Sequence, residues 1–155
     1  MTDFNIRFAE LAIEWAEAKV PYQHRGLSRN GCDCFGLLVG IWREMGYFKK
    51  YVLKYYPPDW NLHAGAGNQV IEELSLYGVQ VKKNEIKRGD IAILFFGKCP
   101  AHCGIIVSDK LMMVHSLSTK RCCTYGILNN SMWSRRWQTT FRMDENKLRA
   151  YDLCH

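Results

Sequence analysis

The sequence has no uninterrupted apolar run of about 20 residues, the length that a helix needs to cross a membrane. Its first ten residues include Asp3, Arg7 and Glu10, where a signal peptide requires an apolar core. Repeats and low-complexity tracts are also absent. These absences predict a chain with no membrane span that is made in the cytoplasm without a signal peptide.

Motifs that recognise nucleic acid are missing as well. The sequence contains no zinc-finger pattern, no RNP-like stretch and no P-loop. The formal net charge is +6, but the basic residues occur as separate pairs rather than along one helix. Such a surface attracts anionic polymers without specificity. We therefore predict no specific nucleic-acid partner.

Cysteine, in contrast, is abundant, with seven residues. The odd number and the absence of an export signal argue against a disulfide framework. Cys99 and Cys103 have a spacing that zinc ligands can have, and His102 lies between them, but no second pair follows at a finger-like spacing. We predict no cofactor and no metal, and we keep a zinc-holding, thiol-rich binding domain as an alternative.

The chain of 155 residues is long enough for one sizeable core, with 48% hydrophobic and 23% charged residues. We predict one domain over 1–155, in which residues 144–155 form a loosely ordered polar tail. A helical pattern near the N-terminus stops before Pro21, and a polar loop follows it. Residues 47–67 form a long aromatic connection that either lines a substrate cleft or covers the edge of the core. Further short elements are predicted as a helix at 70–77 and strands at 79–82, 125–128 and 138–143.

A helix with a reactive thiol in its first turn is predicted from Cys34 onward. Apolar residues recur there at the spacing of one helix face, at Leu38, Ile41, Trp42 and Met45. Asp33 is a good N-cap, and Gly46 follows where helices commonly end. Unpaired backbone N–H groups and the positive end of the helix dipole favour a thiolate at Cys34. Gly36 has no Cβ, which lets backbone or substrate approach the sulfur.

Two histidines are predicted to lie side by side on a hairpin. Ile91–Phe96 is an apolar run of buried-strand character, and two more such runs, 103–107 and 111–114, flank a polar break at 108–110. If the loop is centred between residues 109 and 110, residue 102 lies opposite residue 117. His102 and His115 then fall on the same face as diagonal neighbours. One imidazole can accept the thiol proton while the other fixes its tautomer.

With these motifs the chain resembles the NlpC-type cell-wall cysteine peptidases, a papain-like group that cuts peptidoglycan stem peptides. Their Asp-Cys-x-Gly-Leu motif at a helix start is matched by Asp33–Leu37. Their Gly-Asp, apolar run and His-x-Gly-Ile are matched by Gly89-Asp90 and His102–Ile105, and His115 is the third polar residue. The Pro-Tyr pair that precedes their nucleophile is matched by Pro21-Tyr22.

The resemblance implies that Cys34 attacks an amide bond, His102 acts as the base and His115 orients His102. It also implies peptidoglycan peptide as the substrate. Which bond is cut, and whether the acyl group passes to water or to an amine, stays open. The residues expected around the oxyanion and the substrate are Tyr22, Asp33 and Gly36.

Some segments look like one branch of that family, found in phage tails and gene-transfer agents. The branch implies phage tail proteins as partners and action at the cell wall after delivery by a phage-like particle or by lysis. Phe35 departs from the small residue that follows the cysteine in many relatives, and we expect it to narrow the cleft. The matching segments are Arg25-Gly26, Asn30–Cys34, Trp42–Glu44, Pro58–Trp60, Trp133–Trp137 and Phe141-Arg142.

The order of the predicted elements indicates an α+β fold. Helices come first and an antiparallel sheet follows, with the nucleophile helix packed on the sheet, which agrees with a papain-like layout. The leading interpretation is a peptidoglycan peptidase or amidase of phage-like origin. A structural tail-assembly protein with an idle site is the alternative from a different class.

Overall fold

The computed structural model describes residues 2–58 and 68–155. The part of the aromatic connection at 59–67, including Asp59 and Trp60, lies outside the described residues. The elements, in chain order, are α1 (Asp3–Glu17), β1 (Leu27–Ser28), β2 (Gly31–Cys32), α2 (Cys34–Glu44), α3 (Gln69–Ser75), β3 (Gly78–Gln80), a 3₁₀ turn (Lys83–Glu85), β4 (Ile91–Phe96), β5 (Cys99–Ile106), β6 (Met112–Leu117), β7 (Cys122–Ile127), α4 (Ser131–Ser134), β8 (Trp137–Met143) and α5 (Glu145–Cys154).

An antiparallel sheet of six strands forms the centre of the fold, in the order β3-β8-β4-β5-β6-β7. The predicted strands at 79–82, 91–96, 125–128 and 138–143 all belong to it, although β5 and β7 start several residues earlier than predicted. A small hairpin, β1-β2, lies in the segment that was predicted as a polar loop. None of the helices in the described part of the chain has the length and hydropathy that a membrane span requires.

The sheet separates two apolar clusters. The larger one joins α1 and α2 to one face of the sheet, and the smaller one lies on the opposite face around Met113 and Trp133. Within the larger cluster, the rings of Phe8 in α1 and Trp42 in α2 lie 5.7 Å apart, centroid to centroid. The first helix therefore packs beside the nucleophile helix, as predicted.

The register of the β5-β6 hairpin confirms the predicted arrangement of the histidines. Ile105 pairs with Val114, and Ile106 pairs with Met113. Both pairs place the centre of the loop between residues 109 and 110. By the alternation of side chains along β5, His102 shares a face with Ile106, which belongs to the smaller cluster.

The prediction of a loosely ordered tail at 144–155 is wrong, because these residues form α5. Asp144 caps the helix by accepting a hydrogen bond from the backbone N–H of Asn146 at 2.9 Å. Leu148 is fully buried, and the ring of Tyr151 lies 4.8 Å from that of Phe48. Because Leu148 is the one fully buried residue of this helix, its tertiary contacts rather than a broad apolar stripe stabilise it.

Candidate active site

Cys34 is the first residue of α2, and it lies against strand β5. Its Sγ donates a hydrogen bond to the carbonyl of Ala101 at 3.5 Å, and the Sγ of Cys103 donates to the carbonyl of Cys34 at 3.3 Å. Residues 101 and 103 flank His102, so the start of α2 contacts β5 on both sides of the predicted base. Cys34 is partly exposed, whereas Cys103 is fully buried.

His102 and His115 form a hydrogen-bonded pair, with Nε2 of His102 2.8 Å from Nδ1 of His115. Both side chains are buried, and His115 is only 1% exposed. Burial lowers the pKa of His115 to about 4. It also lowers the pKa of His102, and the nearby His115 and Arg136 lower it further. A neutral His102 that donates from Nε2 keeps a free lone pair on Nδ1, which is what a base for the thiol proton requires.

Aromatic rings enclose this pair. Trp133 stacks on His102 with ring centroids 5.7 Å apart and an interplanar angle of 24°, and it meets His115 edge to face at 5.0 Å. Phe96 lies 5.4 Å from His102. The guanidinium of Arg136 lies over both Phe96 and Trp133. The two imidazoles are therefore held in a largely apolar enclosure with one cation at its edge.

Asp33 caps α2 and is the centre of a buried hydrogen-bond network. One oxygen accepts from the backbone N–H of Gly36 at 2.7 Å, and the other accepts from the backbone N–H of Arg25 at 2.8 Å and from the Tyr56 hydroxyl. Nδ1 of His24 lies 3.9 Å from the same carboxylate. Asp33 lines the cavity described below, but its oxygens already accept three hydrogen bonds. The geometry therefore favours a positioning role over direct contact with an oxyanion.

Gly36 faces backbone rather than substrate. A Cβ at this position would lie 1.8 Å from the carbonyl oxygen of Gly26 and 2.9 Å from Asp33 Oδ1. Glycine thus lets the chain at Gly26, just before β1, pass directly beside the first turn of α2. Gly36 is not one of the described residues that line the cavity presented in the next paragraph.

A cavity of about 470 Å³ brings Tyr22, Cys34 and His102 together on one surface. Tyr22 is half-buried, and burial, with the nearby Cys34, Asp33 and Cys32, raises its pKa to about 12. Its hydroxyl therefore stays protonated and can donate a hydrogen bond at neutral pH. Phe35 also lines the cavity, as its predicted effect on the cleft requires.

His24 was not predicted as a site residue, and Tyr56 was predicted only as part of the aromatic connection at 47–67, which either lines a cleft or covers the core edge. The Tyr56 carbonyl is 2.8 Å from Nε2 of His24, and both side chains line the cavity. Tyr56 lies 23 positions after Asp33, in a segment without regular structure. No local pattern relates these two positions, so only the folded chain reveals their contact.

The remaining cysteines do not form a metal site. The described residues include no group of three or more His, Cys, Asp or Glu side chains that could hold a metal ion. Cys32 and Cys123 are close, with their sulfurs 3.6 Å apart, but both are buried free thiols. The structure therefore gives the zinc-binding alternative no ligand set.

Comparisons with known proteins agree with this fold. A model of the NlpC/P60 family matches residues 19–142. A probable endopeptidase from Haemophilus influenzae is 30% identical over 133 residues, which are 84% of this chain and 70% of that protein.

Solved structures show the same fold at lower identity. An NlpC/P60 family protein from Bacillus cereus matches with a TM-score of 0.61 and 20% identity over 90% of this chain, which spans only 40% of that protein. The peptidoglycan hydrolase RipB from Mycobacterium tuberculosis matches with a TM-score of 0.56 and 18% identity, over 93% of this chain and 69% of that one. These matches confirm the predicted papain-like α+β fold.

Proposed function

Because the chain belongs to the NlpC/P60 family and is a cysteine hydrolase, we propose that it cuts an amide bond in the stem peptides of peptidoglycan. One observation carries the proposal: Cys34 contacts β5 on both sides of His102, whose Nε2 is bonded to His115. The names of the relatives support the substrate, since one is a probable endopeptidase and another a peptidoglycan hydrolase.

The reaction begins when the Cys34 thiol loses its proton to Nδ1 of His102. The sulfur attacks the carbonyl carbon of the scissile amide, and the protonated His102 then donates its proton to the leaving amine. Water attacks the thioester carbonyl while His102 takes its proton. The tetrahedral intermediate then breaks its C–S bond to release the carboxylic acid, and His102 returns the proton to the Cys34 thiolate. His115 keeps its hydrogen bond to Nε2 throughout, which fixes the ring plane and the tautomer of His102.

Two donors are available for the oxyanion of the tetrahedral intermediate. The backbone N–H of Cys34, at the first position of α2, has no acceptor within the helix. The Tyr22 hydroxyl, on the same cavity surface, is the second candidate. Removing one such donor from a hydrolase typically costs about 100- to 1000-fold in turnover.

The test compares the purified wild type with Cys34→Ala on peptidoglycan fragments, with the products read by mass spectrometry. A matched control is Cys154→Ala, because Cys154 is an exposed thiol on α5. We expect a defined peptide product from the wild type and from the Cys154 variant, and none from the Cys34 variant. Product formation by Cys34→Ala at the wild-type rate would contradict the assignment.

We further propose that the protein works with a phage-like particle and reaches the cell wall through that particle or through lysis. The support is the similarity of the Arg25-Gly26, Asn30–Cys34 and Trp133–Trp137 segments to the tail-associated branch. The test is to quantify the protein in purified particles. Normal particle assembly with Cys34→Ala, but not without the protein, would instead favour the structural tail role.

A further inference from the structure

The end of α4 and the two residues that join it to β8 cover the histidine pair, and we call this stretch the cap segment (residues 133–136). Its first residue, Trp133, stacks on His102 and meets His115 edge to face. One indole therefore contacts both imidazoles in two different orientations. Trp133 is 5% exposed, so it also separates the pair from solvent on that side.

The last residue of the cap segment, Arg136, places a cation at the edge of the same enclosure. Its guanidinium carbon is 5.6 Å from the ring centre of Phe96 and 5.9 Å from that of Trp133. Its backbone is fixed by bonds from Arg136 N–H to the Trp133 carbonyl at 3.0 Å and from Phe95 N–H to the Arg136 carbonyl at 2.7 Å. Among the ion pairs formed by the described residues, none involves Arg136.

We propose that Trp133 and Arg136 are positioning residues for the reaction: Trp133 fixes the planes of both imidazoles, and Arg136 places a positive charge that favours neutral His102. The inference rests on the proposed function, because it assigns these residues to the same base. Its chemical consequence is that His102 stays a free base into the mildly acidic range, because Arg136 acts in the same direction as burial and His115. Burial and His115 lower the pKa of His102, and Arg136 lowers it further, which agrees with this arrangement.

Several titratable groups besides Arg136 face His102, and the test must separate them. His115 comes from β6 and is itself neutral near pH 7, since its pKa is about 4. Across the cavity lie the groups at the start of α2 and in the segment before β1, which are Cys34, Asp33 and Tyr22. Substitutions in the cap segment leave all four of these in place.

The experiment follows the imidazole signals of His102 by NMR over a pH titration of the free enzyme, so no substrate is needed. Arg136→Gln should raise the titration midpoint of His102 by about 0.5 to 1 pH unit, because a nearby positive charge disfavours the imidazolium. Arg136→Lys should keep the wild-type midpoint. Arg135→Gln is the matched control, since the neighbouring Arg135 is exposed, whereas Arg136 lies over the rings of Phe96 and Trp133.

If Arg136→Gln does not fold, Arg136→Met serves instead, because it keeps an apolar stem over the rings and removes only the charge. An unchanged midpoint in a folded variant, or an equal shift with Arg135→Gln, would overturn the role of Arg136. A shifted midpoint in a protein that cuts no peptidoglycan fragment would sustain this inference and remove the proposed substrate.

Trp133 has its own spectroscopic readout. The proton shared between His102 and His115 should give a slowly exchanging low-field signal in the wild type and in Trp133→Phe, where an aromatic ring remains. In Trp133→Ala the signal should broaden or disappear, because water reaches the pair. A sharp signal in a folded Trp133→Ala protein would refute the assignment of Trp133.

Discussion

Replacing Asp33 by alanine should cost much more folding free energy than the same replacement at Asp144, although both residues cap a helix. Asp33 accepts from the N–H of Gly36 at 2.7 Å, and Asp144 accepts from the N–H of Asn146 at 2.9 Å. The difference lies in burial, since Asp33 is 4% exposed and Asp144 is exposed. The pair therefore isolates the contribution of the buried network from that of the cap.

Losing the cap alone costs about 1 kcal/mol at either site. At Asp33 the alanine variant also removes the carboxylate that accepts from the Arg25 N–H and from the buried Tyr56 hydroxyl. Losing each of these hydrogen bonds to a charged acceptor adds about 1 to 3 kcal/mol, with the lower figure for the partly buried N–H. We therefore expect a loss of about 3 to 5 kcal/mol for Asp33→Ala against about 1 kcal/mol for Asp144→Ala.

Urea unfolding followed by tryptophan fluorescence measures both losses. An unchanged slope of unfolding free energy against urea concentration confirms that the same transition is compared. At about 2 to 4 °C per kcal/mol, the melting temperature should fall by roughly 6 to 20 °C for Asp33→Ala. The loss of folding free energy for Asp33→Asn should lie between those of the two alanine variants, because the Asn amide oxygen can still accept from the Gly36 N–H. Losses that agree within about 0.5 kcal/mol for Asp33→Ala and Asp144→Ala would refute the reasoning.

The stability of the wild type should fall by about 2 kcal/mol between pH 7 and pH 5 because of His115 alone. Its folded pKa of about 4 lies below the unfolded value near 6.5, so the unfolded chain binds a proton first; the stability is full above pH 6.5 and is lost as pH falls towards 4. His115→Gln should remove about 2 kcal/mol of the pH dependence and leave the part due to His102, as urea unfolding at the two pH values can show. His102→Ala should lower the turnover rate roughly 10³- to 10⁴-fold, and His115→Ala should lower it less. Steady-state kinetics on both variants tests this order, and a larger loss for His115→Ala would contradict it. Gly36→Ala should destabilise by more than about 3 kcal/mol, because its Cβ would meet the Gly26 carbonyl at 1.8 Å; Gly46→Ala, with φ +97° and no atom within 4 Å, should cost only about 1 to 2 kcal/mol. Equal melting temperatures for the two glycine variants would contradict this.

The parts of the site that sequence predicts are those set by local rules. The helix from Cys34 is predicted by an N-cap, by apolar residues on one helix face and by a terminal glycine. In the structure it spans Cys34–Glu44. The diagonal contact of His102 with His115 follows from one assumption about the centre of a loop, because side chains alternate with a period of two. The 2.8 Å contact confirms that assumption.

The parts that sequence does not predict depend on contacts between distant segments. Tyr56 reaches Asp33 from an irregular segment, and nothing in the spacing of these residues indicates it. The helix α5 has a weak apolar pattern of its own and is stabilised by the aromatic rings around Phe48. Gly36 was predicted to admit backbone or substrate, and only the folded chain shows that the neighbour is the carbonyl of Gly26.

The place of β8 in the sheet has a consequence for the protein during its synthesis. This strand lies between β3 and β4, both of which are made before it. The ribosome therefore releases Cys34 and both histidines while the sheet still lacks a strand and the histidine pair still lacks Trp133. At about 5 to 20 residues per second, the roughly 100 residues from Cys34 to Trp133 take about 5 to 20 seconds to synthesise. A nascent chain that stalls before residue 133 thus carries the thiol and the imidazoles without the indole that covers the histidine pair.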